Sequence, residues 1–315
     1  MPSNHFDGKR FFTPGAPQPK SFADVARWML TRHPEPWKSD PSSTLDHPPA
    51  TVREGLRTTL VNHSTVLIQT AGVNILTDPI WSERASPFTF AGPKRFAPPG
   101  IRFEDLPPIH IVLISHNHYD HMDLPTLRRL QSAHAPRVYV GLGNAPYLMP
   151  IGMKRAFEMD WWDSDCYSSD ITVHCTPSQH FSARSPFDRN RALWCSYVIA
   201  TPSGNIYFGG DTGFGPHFRD IHQRFPYIRI ALLPIGAYLP RWFMSPVHLS
   251  PDEAFEAHKI LGAHDSVAIH HGTFALADDS QYEARDRVIQ LALERNLQFH
   301  ILRNGESWTS ESTTV

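Results

Sequence analysis

Residues 109–123 read Ile109-His110-Ile111-Val112-Leu113-Ile114-Ser115-His116-Asn117-His118-Tyr119-Asp120-His121-Met122-Asp123. The opening run is mostly apolar, rich in β-branched side chains and bounded by Pro107-Pro108, which predicts a buried strand. Where that strand stops, it delivers three imidazoles and a carboxylate: His116, His118, Asp120 and His121. These are nitrogen and oxygen ligands of the kind zinc prefers. Nearly adjacent side chains in a loop point in different directions, so one cation does not easily take all four. The His-x-His pair serves one ion and the Asp-His pair a second. The chain carries 19 histidines, so isolated ones such as His5, His134 or His222 read as ordinary surface or hydrogen-bonding groups. The density of the 116–121 loop sets it apart.

Three later strand ends offer partners for this loop. Thr176-Pro177-Ser178-Gln179-His180 follows the strand-like Ile171–Val173, and Gly209-Gly210-Asp211-Thr212-Gly213 follows Ile206–Phe208. Ala268-Ile269-His270-His271-Gly272 closes a third run. Glycines beside Asp211 let the backbone come close to whatever it contacts. Together with the first loop these groups suffice for two ions, each with three private ligands, plus one bridging carboxylate. Neighbours on a strand face opposite ways, so alternation does not choose between His270 and His271.

At 315 residues, 41% of them hydrophobic, the chain is long enough for a large core. Lys+Arg 29 against Asp+Glu 31 gives a net charge of −2, which argues against nucleic acid as a partner. The three cysteines, Cys166, Cys175 and Cys195, form no C-x-x-C pair, and a reducing compartment follows. The N-terminus lacks the apolar stretch of a secretory signal, and no run of 18 apolar residues occurs. A cytoplasmic protein is therefore expected, with any membrane contact peripheral. Prolines cluster before residue 110. Residues 1–50 read as an extended N-terminal segment packed on the body, with one helix at Phe22–Leu30 behind Ser21 as N-cap, and residues 51–315 as one domain.

Strand candidates continue through Leu60-Val61, Val66–Ile68, Val73–Leu76, Val138–Val140, Trp194–Ala200 and Ile228–Leu233. Helices are expected from Leu124 behind Asp123, from Pro251 behind Ser250 with Glu253 completing a capping box, and over Tyr282–Asn296. No internal repeat is visible. Strands come first and then alternate with helices, an α/β pattern of sheets covered by helices.

The loop at 115–123, followed by His180, Asp211 and His270, resembles the metallo-β-lactamase superfamily of binuclear hydrolases. The likeness is closest to the branch of phospholipases D that hydrolyse N-acylphosphatidylethanolamine. It runs in order through Leu76–Ile80, Arg84–Pro87, Gly92–Phe96, Ser115–Asp123, Pro177–His180, Gly210–Gly213, Pro234–Tyr238, Pro240–Met244 and Ala268–Leu276. The resemblance implies a four-layer αβ/βα sandwich, two mixed β-sheets flanked by helices, and a homodimer with an apolar channel at the site. It implies two zinc ions, although iron or manganese would also suit such ligands. His116, His118 and His180 would hold one ion, Asp120, His121 and His270 the other, and Asp211 would bridge. His248, just before a capped helix, matches a further active-site histidine whose place suits a phosphate. Thr89-Phe90 stands where mammalian members carry Gln-Tyr near the lipid's amide, and His271 where they carry tryptophan.

The implied reaction is attack of a metal-bound hydroxide on a phosphodiester, releasing N-acylethanolamine and phosphatidate. Asp120 belongs to the catalytic set, and Asp211 or His248 would protonate the leaving oxygen. His63 and Asp78 are candidates to orient ligand imidazoles. Thr89, Phe90, Tyr238, Arg241 and Trp242 are candidate substrate contacts, Trp242 within an apolar lip that would meet lipid. The rival enzyme is a soluble lactonase or small-molecule phosphodiesterase of the same superfamily, and the non-enzyme alternative is a metal-binding protein that has lost catalysis.

Overall fold

The run that opens the ligand loop forms a strand over Ile111–Ile114, all four residues buried. The computed structural model describes residues 4–17, 20–154 and 156–310. In chain order the elements are α1 (Phe22–Thr31), β1 (Leu56–Asn62), β2 (Thr65–Thr70), β3 (Val73–Thr77), β4 (Ile111–Ile114), α2 (Leu124–His134) and β5 (Arg137–Gly141). There follow α3 (Ala145–Leu148), β6 (Ala156–Met159), β7 (Ser164–Cys166), β8 (Thr172–Thr176), β9 (Ser196–Ala200), β10 (Asn205–Phe208), α4 (His217–Arg224) and β11 (Ile228–Pro234). The last are α5 (Arg241–Met244), α6 (Pro251–Leu261), β12 (Ala263–Ile269), α7 (Glu283–Arg295), β13 (Phe299–His300) and β14 (Ser307–Ser310).

Two seven-stranded sheets run β14-β1-β2-β3-β4-β5-β6 and β7-β8-β9-β10-β11-β12-β13. In each, the first three pairings are antiparallel and the last three parallel. The chain thus contains a topological repeat that the sequence does not display, with β14 returning from the C-terminus to the edge position that β7 takes in the second half.

Strand alternation sorts the core into layers. Ile111 and Leu113 of β4 face the second sheet and meet Phe208, Leu232 and Val267 in the central cluster. Val112 and Ile114 face outward onto Leu127 and Leu130 of α2. On the far side Phe255 and Leu261 of α6 and Val288 of α7 cover the second sheet. The four-layer αβ/βα sandwich expected from the sequence is the observed architecture. Burying each large aliphatic side chain in these layers contributes about 1.5–3 kcal/mol.

The caps hold α1 and α6 where the sequence puts them. Ser21 with Asp24, and Ser250 with Glu253, both form complete capping boxes. Asp123 occupies the N-cap of α2 without capping it through its side chain. Its carboxylate instead accepts from the Ser82 amide and hydroxyl and from Thr126 Oγ1. The run Trp194–Ala200 is strand only from Ser196, and Trp194 Nε1 donates to Ser178 O next to the His180 loop.

Candidate metal centre

Every residue of the ligand loop and its partners sits at or just beyond a strand end. His63 follows β1, Asp78 follows β3, the 115–121 loop follows β4, His180 lies beyond β8, Asp211 follows β10 and His270 follows β12. The parallel strands β3, β4, β10 and β12 therefore empty onto one edge of the sandwich. Three site residues adopt left-handed backbone: His63, Asp78 and His270 have φ of 46°, 31° and 60°. Non-glycine residues pay of order 1–3 kcal/mol each for such angles and keep them only where the surroundings force it. Gly210 (φ 56°) answers the opposite need, because a Cβ there would lie 2.3 Å from Ser115 Cβ. Only glycine lets the backbone leading to Asp211 pass over the β4 loop.

The side chains converge as two groups. His116 Nε2 and His118 Nδ1 are 2.8 Å apart, and His180 Nε2 is 3.3 Å from that same Nδ1. In the second group Asp120 Oδ2 lies 3.1 Å from His121 Nε2 and 3.4 Å from His270 Nε2. Asp211 Oδ2 is 3.3 Å from His121 Nε2, 3.1 Å from His270 Nε2 and 3.8 Å from His180 Nε2, so this one oxygen faces both groups. His121 Nε2, His270 Nε2 and Asp211 Oδ1 are buried with no hydrogen-bond partner among the described residues. Buried nitrogens and a buried carboxylate oxygen left without partners in one cluster are costly unless something satisfies them. Divalent metal ions fit that donor set.

Hydrogen bonds fix which ring nitrogen points inward. His121 Nδ1–H donates to Asp78 Oδ2 (2.6 Å), and His180 Nδ1–H donates to Val247 O (2.9 Å), leaving each Nε2 free for the centre. Ser115 Oγ–H donates to Asp78 Oδ2 (2.6 Å) and accepts from His116 Nδ1–H (2.9 Å). One carboxylate, Asp78, thereby orients a ligand in each group, directly for His121 and through Ser115 for His116. Sequence reading missed Ser115, whose only signal was its place between strand and loop. His63 Nε2 donates to Asp120 Oδ2 at 3.1 Å. Burial, with the neighbouring His270, pushes His63 down to about 3, so the donor is a neutral ring.

Charge follows the same geometry. Burial raises Asp120 and Asp211, but His121 and its neighbours more than offset this and hold both carboxyls well below the usual range. Burial lowers His270, yet Asp211 and Asp120 bring it up to about 9. The metal-free cluster thus keeps protons on imidazoles at positions that cations would take.

A cavity of about 820 Å³ opens onto His118, Asp120, His180, Asp211 and His248. Its walls are largely apolar, and residues of the N-terminal segment build part of them: Phe12, Thr13, Val25 and Trp28. Phe11 N donates to Asn190 O and Thr13 Oγ1 to Ser178 O, which pins this segment beside the His180 loop. Trp28 stacks on Phe243 at 4.9 Å and donates Nε1–H to Asp278. His248 Nδ1 is 3.8 Å from Asp211 Oδ2, and burial lowers its pKa to about 4.

The candidate substrate contacts fall elsewhere. Arg241 pairs with Glu253 and donates to the carbonyls of Tyr238 and His248, so it braces the His248 turn against the cap of α6. Tyr238 donates to Glu283. Phe90 is 80% exposed and packs on Phe88, Thr89 O receives Arg84, and Trp242 lies under Arg27; none of these lines the cavity, whereas Phe243 and Met244 do. His271 lines a separate crevice with Arg285 and Asn304, while His270 faces Asp211 in the candidate centre.

A family model described as Beta-lactamase superfamily domain matches residues 73–271. The chain belongs to this family. The hydrolase is 37% identical over 270 residues to N-acyl-phosphatidylethanolamine-hydrolyzing phospholipase D 1 of Caenorhabditis elegans, covering 81% of this chain and 76% of that protein. It is 34% identical over 228 residues to the mitochondrial N-acyl-phosphatidylethanolamine-hydrolyzing phospholipase D of Saccharomyces cerevisiae, covering 70% of this chain and 48% of the yeast protein. Among solved structures, an isothiocyanate hydrolase from Delia radicum gut bacteria superposes with a TM-score of 0.65 at 21% identity, covering 81% of this chain and 99% of that one. That likeness concerns the fold alone. No helix among the described residues is long and apolar enough to cross a membrane.

Proposed function

We propose that this hydrolase is a phosphodiesterase of phospholipase D type that cleaves N-acylphosphatidylethanolamine-like lipids to N-acylethanolamine and phosphatidate with two zinc ions. The observation that carries the reading is the largely apolar cavity of about 820 Å³ opening directly onto both ligand groups and the shared Asp211. A cavity of that size suits acyl chains with a headgroup phosphate over the centre. The names of the nematode and yeast relatives support the same substrate class.

Bound between these groups, the cations would supply Lewis acidity to a phosphoryl oxygen and lower the pKa of a coordinated water. The chain's own residues do the positioning. Asp78 and Ser115 hold the His121 and His116 rings, Val247 O holds His180, and His63 holds Asp120. Asp211 is ionised and has no proton to give. His248, a neutral imidazole at the cavity wall, can hydrogen-bond the departing oxygen, whose proton then comes from solvent water. Aromatic walls from Phe12, Trp28, Phe181 and Phe243 exclude water around the lipid.

Contact with a lipid surface belongs to the same proposal. Met29 and Leu30 on α1 are 65% and 85% exposed, next to Arg27, on the helix that walls the cavity. A homodimer is likewise proposed, and light scattering tests it. The enzyme assay uses zinc-loaded protein with N-acylated and plain phosphatidylethanolamine, phosphatidylcholine and a neutral lactone, with His118→Ala alongside. N-acylethanolamine and phosphatidate, absent with the variant, are expected. Lactone opening with every lipid intact would favour the soluble-hydrolase alternative, and inactivity on all substrates the non-catalytic one.

A further inference from the structure

Arg189 sits on the wall of the cavity that holds the candidate metal centre. Its guanidinium lies 4.4 Å from the centroid of the Phe181 ring. Phe181 in turn packs against two ligand imidazoles, with centroids 4.5 Å from His118 and 4.9 Å from His180. One aromatic ring therefore separates a fixed cation from the centre.

No carboxylate pairs with this guanidinium among the described residues, and no protein acceptor receives its N–H groups. The adjacent Asp188 is fully used by the amides of Arg184 and Ser185 and by Tyr147. Nearby arginines are spent on structure: Arg184 donates to Asn117 O and Met122 O, and Arg241 pairs with Glu253. Arg189 is half-buried like both but, unlike them, makes no ion pair or hydrogen bond among the described residues. Keeping such a group beside an apolar pocket is costly unless an anion completes it. Planar guanidinium donors match phosphoryl oxygens in particular.

We propose that Arg189 is a specificity-determining residue that receives a phosphoryl oxyanion of the substrate beside the His118–His180 group, selecting anionic phosphodiesters over neutral esters. The inference rests on the phosphodiesterase reading for its choice of substrate, but not for its test. Lys20, whose Nζ lies 5.7 Å from the Trp242 centroid and which also lines the cavity, adds a second positive charge nearer the mouth.

The test is calorimetric binding of inorganic phosphate to metal-loaded wild type, Arg189→Gln and Arg189→Lys, with metal content measured on each. A charge-assisted hydrogen bond sets the expected loss at roughly 10- to 100-fold in affinity for Arg189→Gln, with partial recovery in Arg189→Lys and unchanged metal content. Lipid cleavage measured in parallel should show a raised KM for the diester and an unaltered rate on a neutral ester, and phosphate should inhibit lipid cleavage competitively in wild type only at low concentration. Unchanged phosphate affinity would overturn the proposal. So would loss of metal or equal losses on charged and neutral substrates, since either makes Arg189 a structural group. If wild type cleaves no diester yet binds phosphate through Arg189, the functional reading and the selection of diesters fail together, and only the anion-receiving role of Arg189 stands.

Discussion

Asp78→Asn isolates the claim that one buried carboxylate orients both halves of the centre. Asp78 accepts from three donors: His121 Nδ1 and Ser115 Oγ on Oδ2, and Ser115 N on Oδ1. Asparagine has one acceptor oxygen. If that oxygen faces His121, its amide N–H groups meet the Ser115 backbone N–H, and a buried donor goes unsatisfied at about 1–3 kcal/mol. If it faces Ser115 N instead, the amide meets His121 Nδ1. His121 must then move its proton to Nε2, the atom facing Asp120 and Asp211. Asparagine tolerates the 31° φ of this position, so backbone strain does not confound the result. Loss of such an orienting partner costs roughly 10- to 100-fold in metal affinity. Zinc affinity measured by competition with a chromophoric chelator, together with a thermal melt of the metal-free protein, reads both effects. Two zinc ions held with wild-type affinity would refute the orienting role.

The remaining predictions probe other parts of the site. Because His270 is raised to about 9, the metal-free protein holds a proton there at pH 7 that a cation must displace. Zinc affinity should therefore rise between pH 7 and 9, and calorimetry in two buffers of different ionisation enthalpy should show proton release. The same shift contributes stability to the metal-free protein that is fully present below pH 6.5 and lost as pH rises through about 9; denaturant midpoints across that window check the sign. Arg241→Met should lower kcat while leaving two metals bound, since it frees the His248 turn without touching a ligand; loss of metal would contradict this. Trp28→Ala should raise KM for long-chain lipids with little effect on a short-chain diester, as it removes a cavity wall remote from the ligands.

The candidate His/Asp cluster was legible because each of its residues is of a metal-binding type at or near the end of an apolar run, and strand physics carries such residues to one sheet edge. Caps on α1 and α6 were legible for the same local reason. What escaped reading is what depends on tertiary partners. β7, β13 and β14 are short, and they are strands because they complete sheet edges. Arg241 reads as a substrate contact in sequence, yet its partner Glu253 lies twelve residues on and is recruited only when α5 folds back onto the cap of α6. The N-terminal segment carries no motif, and its role as cavity wall follows from Phe11, Thr13 and Trp28 each finding a partner far along the chain. Strand alternation alone left His270 and His271 open; the resemblance named His270, whose positive φ accompanies a side chain facing Asp211.

The central claim is hydrolysis at phosphorus over the shared Asp211. Incubating zinc-loaded protein with N-acylphosphatidylethanolamine in ¹⁸O-labelled water and weighing both products by mass spectrometry tests it most directly. The expected result is one ¹⁸O in phosphatidate and none in N-acylethanolamine. Label in a released fatty acid, or lipid recovered intact beside an opened lactone, would contradict it.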